Sequence, residues 1–145
     1  MKNLMFISIA FMVFFGCANN NPVSSLYPGY DYSIEQSWNC FCPNSGMKVK
    51  VFVRADTIAK VILLSDNSNV SYDLWEPYRT IKGLFSEAAS FDTSAYSVSV
   101  SYDSVFHYPS MIYVGRKPII INDTLVVGFN DVWFQIKTWN FIPYR

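Results

Sequence analysis

The sequence is poor in charged residues. Only 15% of its 145 residues are charged, and 11 basic side chains are balanced by 11 acidic ones. A protein that binds nucleic acid through its charge needs a basic excess, so we expect no nucleic-acid partner. Intrinsic disorder is also excluded, because 51% of the residues are hydrophobic and 18% are aromatic. The length fits one domain.

Residues and motifs that carry catalysis are equally scarce. The sequence has one histidine, His107, and it contains no Gly-rich phosphate loop, nucleophile elbow or zinc-protease helix. Catalysis by a Ser–His or Cys–His pair would have to use His107. That residue stands between two predicted strands, where a surface-loop histidine is the simpler interpretation. We therefore expect a protein that is not an enzyme, with no catalytic residue and no cofactor.

No apolar run is long enough to span a membrane, which takes about 20 residues. The mainly apolar run from Leu4 to Phe15 follows Lys2 and precedes Gly16 and Cys17, as in a secretory signal. Phe14-Phe15-Gly16-Cys17 resembles the bacterial lipobox, in which the cysteine becomes the first mature residue and carries lipid. We predict a signal peptide over residues 1–16 and lipidation at Cys17. An ordinary secretory signal with an incidental cysteine is the alternative.

The residues after Cys17 predict where the protein is held. Residues 17–29 are polar and contain Pro22 and Pro28, which is typical of a tether. Residues 30–145 then form a single domain. Ala18, rather than Asp, follows the cysteine, which favours the outer membrane. The expected location is the bacterial cell envelope, with the lipid as the membrane contact.

Alternation of apolar and polar residues predicts a mainly antiparallel β-sheet. One face of the segment from Tyr30 to Cys42 carries Tyr30, Tyr32, Ile34, Trp38, Cys40 and Cys42, and Gln36 is its only polar member. Residues 43–46 predict a turn, and Met47–Val53 predicts a second strand that forms a hairpin with the first. Further predicted strands are Thr57–Leu64, Tyr96–Tyr102, Met111–Val114, Pro118–Ile121 and Leu125–Ile136.

One helix is predicted between these strands. Ile81, Leu84, Phe85 and Ala88 have the spacing of one helical face, Thr80 can cap the helix, and the helix should end near Phe91. The segment 65–78 predicts a loop whose aromatic residues fold back on the core. The fold class is therefore α+β, with five to seven strands and one helix packed on one face of the sheet.

Four local motifs occur in a fixed order along the domain. They are Cys40-Phe41-Cys42-Pro43, Thr80-Ile81-Lys82-Gly83-Leu84-Phe85, Tyr102-Asp103 followed by Tyr108-Pro109, and Asn122-Asp123. Together they resemble a family of small, uncharacterised bacterial envelope lipoproteins. His107 stands where that family has Gly, and the family is richer in acids around Asp123. The resemblance implies the fold and the location, and it supplies no activity for Tyr102, Asp103, Tyr108, Pro109 or Asp123.

Cys40 and Cys42 are the sharpest chemical feature. If Cys17 is lipidated, two thiols remain in an oxidising compartment. In an extended strand their Cα atoms would lie about 6.6–6.8 Å apart, at the upper limit for a disulfide, so the chain would have to tighten. Closing so short a loop stabilises the fold by only about 1.6 kcal/mol. A structural bridge, a redox-active pair, and free thiols or metal ligands, with His107 as a third zinc ligand, all remain open.

Carboxylates and aromatic rings are the last candidates. Asp103, Asp123 and Asp131 stand near strand ends, where they could serve acid–base or calcium chemistry, although turn capping is the simpler role. In the C-terminal region, aromatic residues stand at both odd and even positions, so an alternating strand would place them on both of its faces. They could present a surface to a protein or glycan partner, or form a lid over the sheet edge. These rings are Trp133, Phe134, Trp139, Phe141 and Tyr144.

Overall fold

The computed structural model describes residues 30–40, 42, 45–117, 119–121, 124–127 and 132–144. The predicted signal peptide, Cys17, the tether, Asp123, Asp131 and the side chain of Trp133 lie outside the described part. Within the described part, no helix is both long enough and apolar enough to cross a bilayer.

Six strands form one antiparallel sheet in the order β3-β2-β1-β8-β5-β4, and β6 pairs with β7 separately. The prediction of a mainly antiparallel sheet of five to seven strands with one helix is thereby confirmed. The strands are β1 Asp31–Cys40, β2 Lys48–Arg54, β3 Thr57–Leu63, β4 Tyr96–Tyr102, β5 Pro109–Arg116, β6 Ile119–Ile121, β7 Thr124–Val127 and β8 Val132–Tyr144. The helix α1 spans Ile81–Ser90, and a 3-10 helix spans Tyr72–Leu74.

The alternation of the strands divides their side chains between two faces of the sheet. We call the face that carries Ile34, Val51 and Ile112 the inner face, because these side chains are fully buried. The opposite, outer face carries Glu35, Lys50 and other mainly polar residues at the alternate positions. Gln36 also points to the inner face and is 1% exposed, as its place in the alternation predicts.

The buried residues form two hydrophobic clusters, one in each half of the sheet. The first includes Ile34, Val51 and Tyr78, and the partly buried Leu74 and Trp75 pack against it. Part of the segment 65–78 thus folds back on the core through Trp75 and Tyr78, as predicted, whereas Tyr72 is exposed. The second cluster includes Ile112, Val114, Phe134 and Ile136. Helix α1 contributes to both, because Ile81 lies in the first cluster and Leu84 in the second.

The first turn of α1 is held by side chains on both sides of the helix start. The Thr80 side chain accepts a hydrogen bond from the Gly83 N–H at 3.1 Å, which is the predicted N-cap. The Ile81 N–H has no partner inside the helix, and it donates to the Tyr32 hydroxyl at 2.7 Å. A buried phenol on β1 therefore fixes where the helix begins.

The C-terminal region differs from its prediction in two ways. The predicted strand Leu125–Ile136 is two separate strands, β7 and the start of β8, and β8 continues to Tyr144. A lid over the sheet edge is wrong, because β8 lies in the middle of the sheet between β1 and β5. The register of β8 against β1 shifts between Ser33 and Glu35, so the side-chain parity of β8 changes along its length. The bulge brings Phe134 and Phe141 to the inner face although their positions differ in parity, whereas Trp139 and Tyr144 lie opposite Glu35 and Asp31 on the outer face.

We expect Tyr32→Phe to lower the free energy of unfolding by about 1–2 kcal/mol, because the buried Ile81 N–H loses its acceptor while the ring stays in place. Urea unfolding followed by circular dichroism measures the change. Tyr72→Phe is the matched control, since Tyr72 is 80% exposed and its loss should stay within about 0.5 kcal/mol. Equal losses in the two variants would contradict the role of the Tyr32 hydroxyl.

Candidate functional site

A groove opens on the inner face where β1 ends and β8 begins. It has a volume of about 340 Å³. The side chains that line it come from three parts of the chain, namely the end of β1, the start of β8 and the segment before α1. They are Trp38, Cys40, Cys42, Glu76, Pro77, Arg79 and Phe134. The groove brings the cysteine pair together with an aromatic wall and two charged residues.

Cys40 and Cys42 are placed as a disulfide pair, with their Cα atoms 5.2 Å apart. This distance corrects the placement of both residues on one extended strand, because β1 ends at Cys40 and Cys42 lies in the following turn. The turn is closed by a hydrogen bond from the Gly46 N–H to the Trp38 carbonyl at 2.7 Å, and Gly46 has a φ of 81°. The two cysteines thus lie closer together than in an extended strand, and the predicted hairpin of the first two strands is confirmed.

Trp38 forms the centre of the aromatic wall. Its ring stacks on Phe134 with centroids 5.1 Å apart, and the Arg79 guanidinium lies 5.4 Å from the Trp38 ring centroid. A guanidinium over an indole face is a favourable cation–π arrangement. The indole is held between its two neighbours, so this wall of the groove is formed before any ligand arrives.

The position of Arg79 is fixed by Gln36. The Gln36 side-chain amide donates to the Arg79 carbonyl at 2.5 Å, and the Arg79 N–H donates to the Gln36 side-chain oxygen at 3.1 Å. Arg79 also forms an ion pair with Glu87 of α1 at 3.0 Å, and it donates to the Glu76 and Tyr78 carbonyls. The one polar residue on the inner face of β1 therefore positions the cation of the groove.

Three groove residues are not predicted from the sequence, namely Arg79, Glu76 and Pro77. They stand in a segment with no motif, and Arg79 reaches the groove through a contact with Gln36, 43 positions away in sequence. The available signal was Gln36 itself, since a lone amide among buried apolar side chains needs hydrogen-bond partners.

The residues of the Tyr102-Asp103 and Tyr108-Pro109 motif come together away from the groove lining, in the turn between β4 and β5. The Asp103 carboxylate accepts hydrogen bonds from the Val105 N–H at 2.9 Å and the Phe106 N–H at 2.7 Å, so it caps this turn. Tyr102 pairs with Pro109 across the two strands. The motif thus has a structural reason in the backbone of one turn.

His107 is exposed in the same turn, with a φ of 57°. A positive φ is the conformation that Gly adopts without strain, and other residues adopt it less readily. His107 does not line the groove with the cysteines. Among the described residues, no group of three or more His, Cys, Asp or Glu side chains is arranged to hold a metal ion.

Tyr108 is 2% exposed and contacts the Phe141 ring at a centroid distance of 5.8 Å. Burial, together with the Asp103 carboxylate, raises the pKa of Tyr108 to about 12, although a hydrogen bond from the Phe141 backbone acts in the opposite direction. Since the ordinary pKa of a tyrosine is 10.0, the folded chain holds this proton more tightly than the unfolded chain does.

We therefore expect the contribution of Tyr108 to stability to be complete below about pH 10 and to be lost as the pH rises towards about 12. Tyr108→Phe should make the free energy of unfolding fall less steeply over this range. Urea unfolding at a series of pH values measures the slope. Tyr72→Phe removes an exposed phenol as the control, and an unchanged slope in the Tyr108 variant would refute the assignment.

Comparison with known proteins places the chain in a family. No curated protein and no solved structure shows a significant match to it. A family of unknown function, DUF6174, matches residues 25–133, which is more than half of the chain and includes β1 to β7, α1 and most of the groove. The chain therefore belongs to the DUF6174 family of unknown function.

Proposed function

We propose that this protein is a lipid-anchored binding module of the bacterial cell envelope, rather than an enzyme, and that the groove beside Trp38 is its binding site. The signal-like N-terminus ending at Cys17 supports the anchor and the outer-membrane location. The observation that carries the binding function is the preformed aromatic wall, in which Trp38 is held between Phe134 and Arg79.

The groove has the character of a recognition site. Its volume of about 340 Å³ is near the lower end for ligand pockets and suits one or two side chains. In this proposal, α1 covers the inner face of the sheet, supported by Ile81 and Leu84 in the two clusters. Its Glu87 holds Arg79 at the groove through their ion pair. Such preorganisation lowers the entropic cost of binding, because the receptor side chains are already ordered.

The expected ligand is a short segment of another envelope protein that inserts an apolar or aromatic side chain against Trp38. The exposed Glu76 carboxylate at the rim favours a neighbouring basic residue on that segment. A glycan that stacks a sugar ring on the indole is the alternative partner, and the nature of a covalent adduct distinguishes the two.

A photo-crosslinking amino acid at Pro77, on the groove wall, should capture the partner in intact cells. We expect an adduct of higher mass whose yield falls at least about fivefold with Trp38→Leu, because the aromatic wall is lost while the strand keeps an apolar side chain. The same crosslinker at the exposed Asn67 is the position control. Mass spectrometry of the adduct identifies a protein segment or a glycan.

The intact mass of the uncrosslinked chain, extracted from the same membranes, tests the anchor separately. A chain that begins at Cys17 and carries acyl groups supports the lipoprotein. A chain without lipid would overturn the proposed anchor. The crosslinking assay would still test binding in the groove. Equal adduct yields at positions 77 and 67 would overturn the binding function.

Thiol–disulfide exchange is a second candidate function, favoured by the presence of Cys40, Cys42 and the Arg79 guanidinium in one groove. Cys42 is exposed and Cys40 is half-buried, so a substrate thiolate would attack the Cys42 sulfur. The Cys40–Cys42 bond breaks, and Cys40 departs as a thiolate that a nearby cation stabilises. A second substrate thiolate then displaces Cys42, giving a substrate disulfide and two protein thiols that take up the two substrate protons.

Cys40→Ser combined with Cys42→Ser separates the two functions. Because the bridge closes a very short loop, we expect the free energy of unfolding to fall by only about 1–2 kcal/mol and the Pro77 adduct to persist. Urea unfolding and the crosslinking assay measure these effects. A second assay measures the oxidation of added dithiothreitol, with glutathione disulfide as terminal oxidant. Thiol–disulfide exchange would be supported instead if the unsubstituted protein performs this oxidation at a catalytic rate and the double variant does not.

A further inference from the structure

The charged residues of the described part are distributed unequally between the two faces of the sheet. Of nine described Lys and Arg side chains, five belong to the outer face, whereas only two of nine described Asp and Glu side chains do. The outer face thus has a net excess of three positive charges, and the rest of the described part has an equal negative excess. The outer-face cations are Lys48, Lys50, Arg54, Lys60 and Lys137.

Both carboxylates of the outer face are already engaged. Glu35 forms an ion pair with Lys50 at 3.8 Å, and Asp31 forms one with Arg54 at 3.7 Å. Lys48, Lys60 and Lys137 are exposed and have no carboxylate partner among the described residues. The β-ladder aligns Lys137 and Lys48 with Ser37 between them, so these two ammonium groups lie on one cross-strand row.

Apolar and aromatic side chains accompany Lys60 at the end of the sheet where β1 begins. Lys60 lies 6.0 Å from the centroid of the Phe52 ring, which stacks with Tyr144 at 6.5 Å. Ile142 and Tyr144 are exposed by 45% and 39%. Aromatic rings with a polar edge, next to lysines, are the side chains that favour a membrane–water interface.

We propose that the outer face docks on a bilayer surface rich in anionic phospholipid. The inference rests on the lipid anchor of the proposed function, because Cys17 stands fourteen positions before Asp31 and a tether of that length spans at most about 50 Å. The domain is thus confined near the membrane. Attraction of three unpaired lysines, together with repulsion of the acidic remainder, selects the orientation in which the outer face contacts the phosphates.

The orientation leaves the groove accessible. Trp38 and Phe134 lie on the inner face, opposite the face that contacts lipid in this proposal. The electrostatic docking therefore presents the binding site towards the aqueous compartment.

Lysine reactivity in reconstituted vesicles tests the docking. The mature lipidated protein is placed in vesicles of phosphatidylcholine alone, or of phosphatidylcholine with an equal amount of phosphatidylglycerol, and is acetylated by a water-soluble ester. Each lysine near an anionic surface contributes a factor of about five to the docked population. We therefore expect the acetylation rates of Lys48, Lys60 and Lys137 to be lower by a factor of at least about five in the anionic vesicles. Lys82 and Lys117 should react equally in both.

Two triple variants provide a matched control for net charge. Lys48→Gln with Lys60→Gln and Lys137→Gln should abolish the protection of the remaining Lys50. Lys82→Gln with Arg116→Gln and Lys117→Gln removes the same charge outside this face, and it should leave the three outer-face lysines protected. Salt near about 1 M should also abolish protection, because the screening length falls to about 3 Å.

Equal reactivity in the two kinds of vesicle, or protection that survives high salt, would overturn the docking. Protection by a soluble anionic polysaccharide but not by anionic vesicles would overturn it as well, in favour of a glycan. The acyl mass of the same sample reports the anchor, and the Pro77 adduct reports the groove. A failure of docking is therefore distinguishable from a failure of the proposed function.

Discussion

The pairing of β1 with β8 is the interaction on which the rest of the structure depends. It joins two three-stranded units, β3-β2-β1 and β8-β5-β4. Within each unit the neighbouring strands are hydrogen-bonded to one another, so only the β1–β8 pairing connects the two units into one sheet. The junction brings Trp38 and Cys40 beside Phe134 and thus forms one wall of the groove. It also places Lys137 in register with Lys48 through Ser37. The pairing of β1 with β8 therefore contributes to the groove on the inner face and to the charged surface on the outer face.

Alternation predicts β1, β2 and β4 to within two residues at each end, because apolar and polar side chains alternate regularly along each of them. It fails at Cys42, where hydrogen bonds of a turn override the extended pattern, and in β8, where a bulge reverses the side-chain parity. A pattern with a fixed period cannot locate the residue at which that period is interrupted. The cysteines of the candidate site were therefore identifiable from sequence, whereas Arg79 was not, because its position depends on a pairing with Gln36 across 43 residues.

Equal numbers of basic and acidic residues do not mean an electrically uniform surface. Strands with a period of two collect alternate residues on one face, so a few lysines at matching parity in β2, β3 and β8 accumulate there. The carboxylates concentrate elsewhere, in turns and near α1, where Asp66, Asp92 and Asp103 accept backbone hydrogen bonds. The separation of charge is thus partly a consequence of turn chemistry, since Asp caps turns and Lys does not.

The central place of β8 also sets the order in which the sheet can be completed. Asn39 and Gln135, which are hydrogen-bonded across the β1–β8 pair, stand 96 positions apart. At ordinary rates of synthesis, about 5–20 s pass between the appearance of these two positions. Until β8 arrives, β1 has an open edge of unpaired N–H and C=O groups, which is a template for pairing with another chain. Nascent copies of this protein would therefore benefit from being kept apart, or unfolded, until translation of β8 is finished.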